Sequence, residues 1–366
     1  MKLTIKPIAI LLCAFIATAC QNKQDNSDGA LFNDIDITSV SSGKHNLSDV
    51  FTKYKVVKLQ NTDDCLIGGM FIKVIKHNDE YFVRSMNEVF VFDAEGTFKR
   101  KLSHSGMGPG EYIQICDFDI APDKNEIWVS SENGMFMYDL DTMNNTRHIA
   151  LDFYANQFKC LGDDKFIAKS PDDTVFKLCD GNGKALASYF DKDLAVSGSK
   201  ATDFVEIDGK VISQLENSND AVCYDSENGT FSMVKLTTES SNIETREADD
   251  DYYNRFGWDQ QFEHISQDFH SIFAFRKIGD QTLMIARHPD GTQSLIAQHK
   301  NKSSNITFFP IAKSDFINDI TSNQCILTLM TLCVGTSNDS FIFLLNPSDD
   351  DADANPTLLE VYEIGL

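Results

Sequence analysis

Glu80-Tyr81-Phe82-Val83, Val89-Phe90-Val91-Phe92, Asp93-Ala94-Glu95-Gly96 and Thr97-Phe98-Lys99-Arg100-Lys101-Leu102 follow one another closely. Residues 80–102 therefore read as three short strands with turns between them. The runs are rich in aromatic and β-branched residues, which suit pleated backbone. Asp bonds its own backbone at a turn, and Gly takes positive φ without steric penalty, so Asp93 to Gly96 reads as a tight reversal. Phe82 lies 11 residues before Asp93, a spacing that fits two adjacent antiparallel strands and a short connection.

The same unit recurs along the chain. Met135-Phe136-Met137-Tyr138 breaks on Asp139, and Val175-Phe176-Lys177-Leu178-Cys179 breaks on Asp180 and Gly183. Ala221-Val222-Cys223-Tyr224 breaks on Asp225 and Gly229. Leu283-Met284-Ile285-Ala286 runs toward Asp290 and Gly291, and Phe341-Ile342-Phe343-Leu344-Leu345 runs into Asn346 and Pro347. With breakpoints taken at 93, 139, 180, 225, 288 and 346, the first intervals are 46, 41 and 45 residues and the later ones 63 and 58. Periods of this size mark propeller blades. The chain is expected to be all-β, a six-bladed β-propeller with four-stranded antiparallel blades. Tyr54 to Leu59 and Leu358 to Tyr362 are both strand-like and are expected to share the last blade, closing the ring. Glu239 to Gln261, with Tyr252, Tyr253, Phe256 and Trp258, reads as an insertion between the fourth and fifth blades.

The amino terminus reads as an address. Lys2 and Lys6 precede an apolar stretch, Ile8 to Ile16, too short to span a bilayer. Ala17-Thr18-Ala19-Cys20 resembles a bacterial lipobox, which implies cleavage before Cys20 and lipid attachment to its sulfur. Acyl chains anchor at about 0.8 kcal/mol per buried methylene. The expected organisation is a signal peptide over 1–19, a lipid-anchored tether and lead-in segment over 20–49, and the propeller over 50–366. Gln21 in place of Asp favours the outer membrane, on either its periplasmic or its surface face.

The formal net charge is −23, or −25 without the first nineteen residues. Such a charge repels phosphate backbones, so no nucleic-acid partner is expected. Eight dispersed histidines include no HExxH, and no Gly-x-Ser-x-Gly elbow occurs. His264 and His270 are the closest pair, and surface imidazoles are the simpler reading. Asp349 to Asp353 lacks the central glycine of a calcium loop. No cofactor, metal or catalytic residue is expected. Seven cysteines remain beyond Cys20, an odd number set in apolar runs without CxxC pairs, so buried single thiols are expected.

Gly106-Met107-Gly108-Pro109-Gly110-Glu111-Tyr112 follows the hairpin of residues 89–102, and Tyr54 to Thr62 and Leu66-Ile67-Gly68 precede it. These motifs, with Asn355 to Tyr362, resemble the six-bladed, TolB-like propeller lipoproteins of Bacteroides-type bacteria. That family carries a GxGPGEY loop after an FDxxGxF hairpin in its first blade. The similarity spans residues 50–150 and the last dozen, and it implies a fold and an envelope location without an activity.

Gly108, Pro109, Gly110, Glu111 and Tyr112 are the candidate site, read either as a blade-linking loop or as a ligand-facing one. In the linking reading Glu111 accepts backbone amides and Tyr112 packs on the next blade. The expected function is a lipid-anchored, non-catalytic component that binds a ligand, an envelope protein or a glycan. The alternative is a propeller hydrolase or lyase acting on glycans or peptides at the axial channel.

Overall fold

Along the strand Glu88–Phe92, Val89 and Val91 face one neighbouring blade and Phe90 and Phe92 face the other. Both faces of the sheet are therefore buried, which is why its apolar runs are continuous rather than alternating. The computed structural model describes residues 30–32, 35–38, 45–68, 73–121, 123–170, 174–191, 204–214, 220–237, 271–288, 292–299, 302–308, 316–317, 319–321, 335–336, 339–345 and 355–365. Cys20, Tyr252, Tyr253, Phe256, Trp258, His264, His270, Cys325, Cys333 and Asp349 to Asp353 lie outside the described residues.

Six four-stranded antiparallel sheets form a six-bladed β-propeller. Blade one runs Lys73–His77, Glu80–Ser85, Glu88–Phe92 and Phe98–Leu102. Blade two runs Asp117–Ile120, Glu126–Ser131, Gly134–Asp139 and Asn145–Ile149. Blade three runs Gln157–Leu161, Lys165–Lys169, Thr174–Asp180 and Ala185–Asp191. Blade four runs Val205–Ile207, Lys210–Gln214, Asp220–Asp225 and Thr230–Lys235. Blade five runs Ser271–Ile278, Gln281–Arg287, Gln293–His299 and Lys302–Phe308. Blade six comprises Gly335–Thr336, Phe341–Leu345, Thr357–Ile364 and, from the other end of the chain, Phe51–Lys58. First strands of neighbouring blades touch around the axis, as Lys73–His77 does with Asp117–Ile120 and Gly335–Thr336.

The polar breakpoints become the turns between third and fourth strands in the first four blades. Asp93 Oδ1 accepts the amides of Glu95 and Thr97, at 3.1 and 2.8 Å. Asp180 and Asp225 likewise accept the amide two residues on, at 2.9 and 3.0 Å. Gly96 has φ +87°, and a Cβ there would sit 2.2 Å from the carbonyl oxygen of Lys58, so only glycine fits.

Blades five and six differ from the sequence reading. Leu283 to Ala286 and Phe341 to Leu345 lie in second strands, so their breakpoints fall between strands two and three. Second and third strands are both buried on both faces, and an apolar run does not tell them apart.

Closure joins the two ends as expected. Tyr54, Lys55, Val56 and Val57 pair antiparallel with Val361, Glu360, Leu359 and Leu358. Among the described residues six apolar clusters form, one at each junction between blades. The junction of blades four and five also takes in Phe32, Ile35 and Ile37, which lie ahead of the first blade strand. The amides of Leu31 and Phe32 donate to the carbonyls of Lys235 and Leu236 at 2.7 and 2.8 Å. Phe32 meets Phe275 edge to face.

Candidate functional site

The loop of Gly106 to Tyr112 joins the last strand of blade one to the first strand of blade two. Its turn is closed by the amide of Gly106 donating to Tyr112 O at 2.9 Å and that of Tyr112 donating to His104 O at 3.1 Å. Glu111 bends back, and its Oε2 accepts the amide of Gly108 at 2.7 Å. Gly110, at φ +76°, lets the chain turn past Asn145 of blade two. Pro109 is exposed.

Tyr112 is wholly buried. Its ring stands edge-on to Phe136 and Tyr138, and its hydroxyl donates to Asn87 O at 2.8 Å and accepts the amide of His104 at 3.2 Å. Tyr138 OH donates to Gly110 O at 2.9 Å. Burial pushes the Tyr112 phenol up to about 12, so it is neutral at physiological pH. Within this loop the most exposed large side chain is Met107.

Sequence reasoning missed two polar groupings. The first lies on the inner strands of blades one to three. Lys73 Nζ is 2.8 Å from Asp117 Oδ1, and Asp117 Oδ2 accepts the amide of Phe158 at 3.1 Å. Asp119 Oδ2 accepts the amide of Cys160 at 2.8 Å and pairs with Lys159 at 3.0 Å. Burial works against the charge on Lys159, yet Asp119 holds its ammonium above the ordinary lysine value. The available signal was Asp117-Phe118-Asp119-Ile120, whose alternation puts both acids on one face of a strand.

The second grouping ties blade six to blade one. Glu360 is completely buried. Its carboxylate accepts Lys76 Nζ at 2.8 Å, Tyr81 OH at 2.5 Å and Ser340 Oγ at 2.5 Å. Burial acts to raise the Glu360 carboxyl, but the bonds from Lys76, Ser340 and Tyr81 outweigh it and hold it below the usual glutamate range. No local pattern announces this group, because Tyr81 and Glu360 stand 279 residues apart.

Among the described residues, one histidine and most of the thiols are turned inward. His288 Nε2 lies 2.6 Å from Ser294 Oγ, and both residues are buried within blade five. Among the described residues, Cys65, Cys116, Cys160, Cys179 and Cys223 are unbonded thiols. Burial pushes Cys116, Cys160, Cys179 and Cys223 up, Cys179 to about 12, so these four are protonated and unreactive at neutral pH. Among the described residues no three His, Cys, Asp or Glu side chains converge as a metal site. No described helix is long and apolar enough to cross a membrane.

No curated protein matches the chain. Solved structures that share its architecture include two from Bacteroides. A Bacteroides fragilis protein described as exported is 16% identical, with a TM-score of 0.67 over 90% of this chain and 99% of that one. A DUF4221 family member from Bacteroides vulgatus is 9% identical, with a TM-score of 0.52 over 87% of this chain and 99% of that one. At such identities the likeness is one of fold alone. A single family spans nearly all of the propeller, over residues 32–355, and the chain belongs to it: the family described as a domain of unknown function, DUF4934.

Proposed function

We propose that this protein is a lipid-anchored, non-catalytic propeller of the cell envelope that binds a partner through its loop-bearing face. The observation that carries the reading is how three buried carboxylates among the described residues are used. Asp117, Asp119 and Glu360 each spend their oxygens on a neighbouring blade, as a structural carboxylate does. A general acid or base needs a carboxyl aimed at open space. Of the six large apolar side chains exposed among the described residues, by contrast, four lie in the connections of blade one.

Ala17-Thr18-Ala19-Cys20 supports the anchor, with Cys20 as the lipid attachment site and 20–49 as tether and lead-in. The exported description of the Bacteroides fragilis structure agrees with an envelope location. Gln21 favours the outer membrane. The partner is an envelope protein or a glycan, and the strongly acidic chain disfavours nucleic acid.

Cys20→Ala is expected to move the protein from the membrane pellet to the soluble fraction, because the acyl chains supply the membrane affinity. Fractionation with immunoblotting reads this out. A variant that still pellets with membranes contradicts the anchor.

A further inference from the structure

Six large apolar side chains are exposed among the described residues: Tyr54, Leu66, Met86, Met107, Ile113 and Leu186. Four of them lie in the connections at one end of blade one. Strands in a blade alternate in direction, so the turn between strands two and three lies at the same end as the connections entering strand one and leaving strand four. Leu66 is in the connection entering blade one, Met86 in its second-to-third turn, and Met107 and Ile113 in the connection leaving it. Their exposures are 53%, 61%, 90% and 40%.

Bonds fix these three segments to one another. Ser85 Oγ donates to Gly68 O at 2.8 Å, which holds the incoming connection against the turn that carries Met86. Asn87 Oδ1 accepts the amide of Ile115 at 3.2 Å, and Asn87 O accepts Tyr112 OH at 2.8 Å, which holds the outgoing connection on the same turn. Arg84 is turned inward, donating to the carbonyls of Cys116 and Ile115 at 2.7 and 2.5 Å. The apolar side chains thus stand on a braced platform, with buried Cys65 and Tyr112 in the connections beneath them.

The rim is acidic. Exposed Asp63 and Asp64 precede Leu66, and exposed Glu132 is held beside the loop by Gln114 Nε2 at 2.9 Å. A methionine-bearing apolar surface adapts to varied side chains, and an acidic rim selects for positive charge. It also repels an anionic lipid surface.

We infer that this end of blade one is the docking surface for a cationic, apolar segment of a partner protein, of the Lys-and-Leu amphipathic kind. The inference rests on the binding reading above and is independent of the lipid anchor. A labelled amphipathic peptide of about eighteen residues of Leu and Lys, titrated against the Cys20→Ala protein by fluorescence anisotropy, tests it. Saturable binding is expected, weakened at least about tenfold in a Met86→Ser, Met107→Ser, Ile113→Ser variant. An Asp63→Asn, Asp64→Asn, Glu132→Gln variant is expected to bind more weakly and to lose part of the salt dependence. Leu186→Ser, on blade three, is expected to bind like the parent.

No binding by the parent overturns the inference, as does binding by the triple serine variant within about twofold of the parent. Equal binding of a Leu-and-Glu peptide, equal loss in Leu186→Ser, or binding of the protein to phosphatidylglycerol vesicles also overturns it. None of these results alters the fractionation outcome for Cys20→Ala, so failure of the docking surface and failure of the anchor are told apart.

Discussion

Glu360→Ala is expected to destabilise the protein by about 3–5 kcal/mol, because one partner of a buried pair is removed. The carboxylate is the shared acceptor for Lys76, Tyr81 and Ser340, and all three lose it at once. Tyr81 and Ser340 are buried and have that bond to replace inside the protein. The loss falls where the carboxyl-terminal strand meets blade one, so the ring is weakened at its closure. Urea unfolding measures the difference. A midpoint unchanged from the parent contradicts the bonding described here.

The same group makes closure acid-sensitive. Glu360 is held below its ordinary value in the folded chain, so its contribution is complete above the unfolded glutamate value of about 4.3. It is lost as pH falls through the lower, folded value. The stability gap between parent and Glu360→Gln is therefore expected to be constant near neutrality and to shrink as pH drops below about 4. Comparison with the variant isolates this group from others, such as Asp164, which Arg147 and Lys124 hold at about 2. Parallel stability curves at every pH contradict the assignment.

Tyr112→Ala is expected to lower stability by about 3–5 kcal/mol, the range for deleting a large buried aromatic side chain. The ring fills the joint between blades one and two against Phe136 and Tyr138. Tyr112→Phe keeps that packing and removes the hydroxyl shared by Asn87 and His104, and a loss of about 1–3 kcal/mol is expected. The graded pair separates packing from hydrogen bonding. A ligand-facing tyrosine behaves differently: its removal leaves the unfolding midpoint in place and abolishes binding.

Much of the architecture was legible because it is local. Asp93, Asp180 and Asp225 each bond an amide two residues on, and such a turn is visible in a few consecutive letters. The apolar runs of second and third strands were legible as strands because both their faces are buried. Their place within blades five and six was not, since Leu283 to Ala286 looks the same in either position. Phe32, Ile35 and Ile37 were hidden for another reason: isolated apolar residues in a polar stretch show no period, and blades four and five supply their partners. Glu360 and Asp117 read as ordinary strand acids until the neighbouring blade arrives with a lysine or an amide. Sequence reports what a residue prefers over a few neighbours, whereas these groups are defined by contacts that only the packing of one blade on the next creates.

Closure by strands from opposite ends of one chain underlies every position described above, and it can be tested covalently. Lys53 and Glu363 are exposed register partners across Phe51–Lys58 and Thr357–Ile364, with the register shifting on either side of Lys53. Paired β positions of this kind fall within disulfide reach. In Lys53→Cys, Glu363→Cys, mild oxidation of the native protein is expected to join positions 53 and 363 within one chain, found by mass spectrometry of the linked peptides. Oxidation that leaves the two positions unlinked, or links them only between separate copies, contradicts a ring closed in this way.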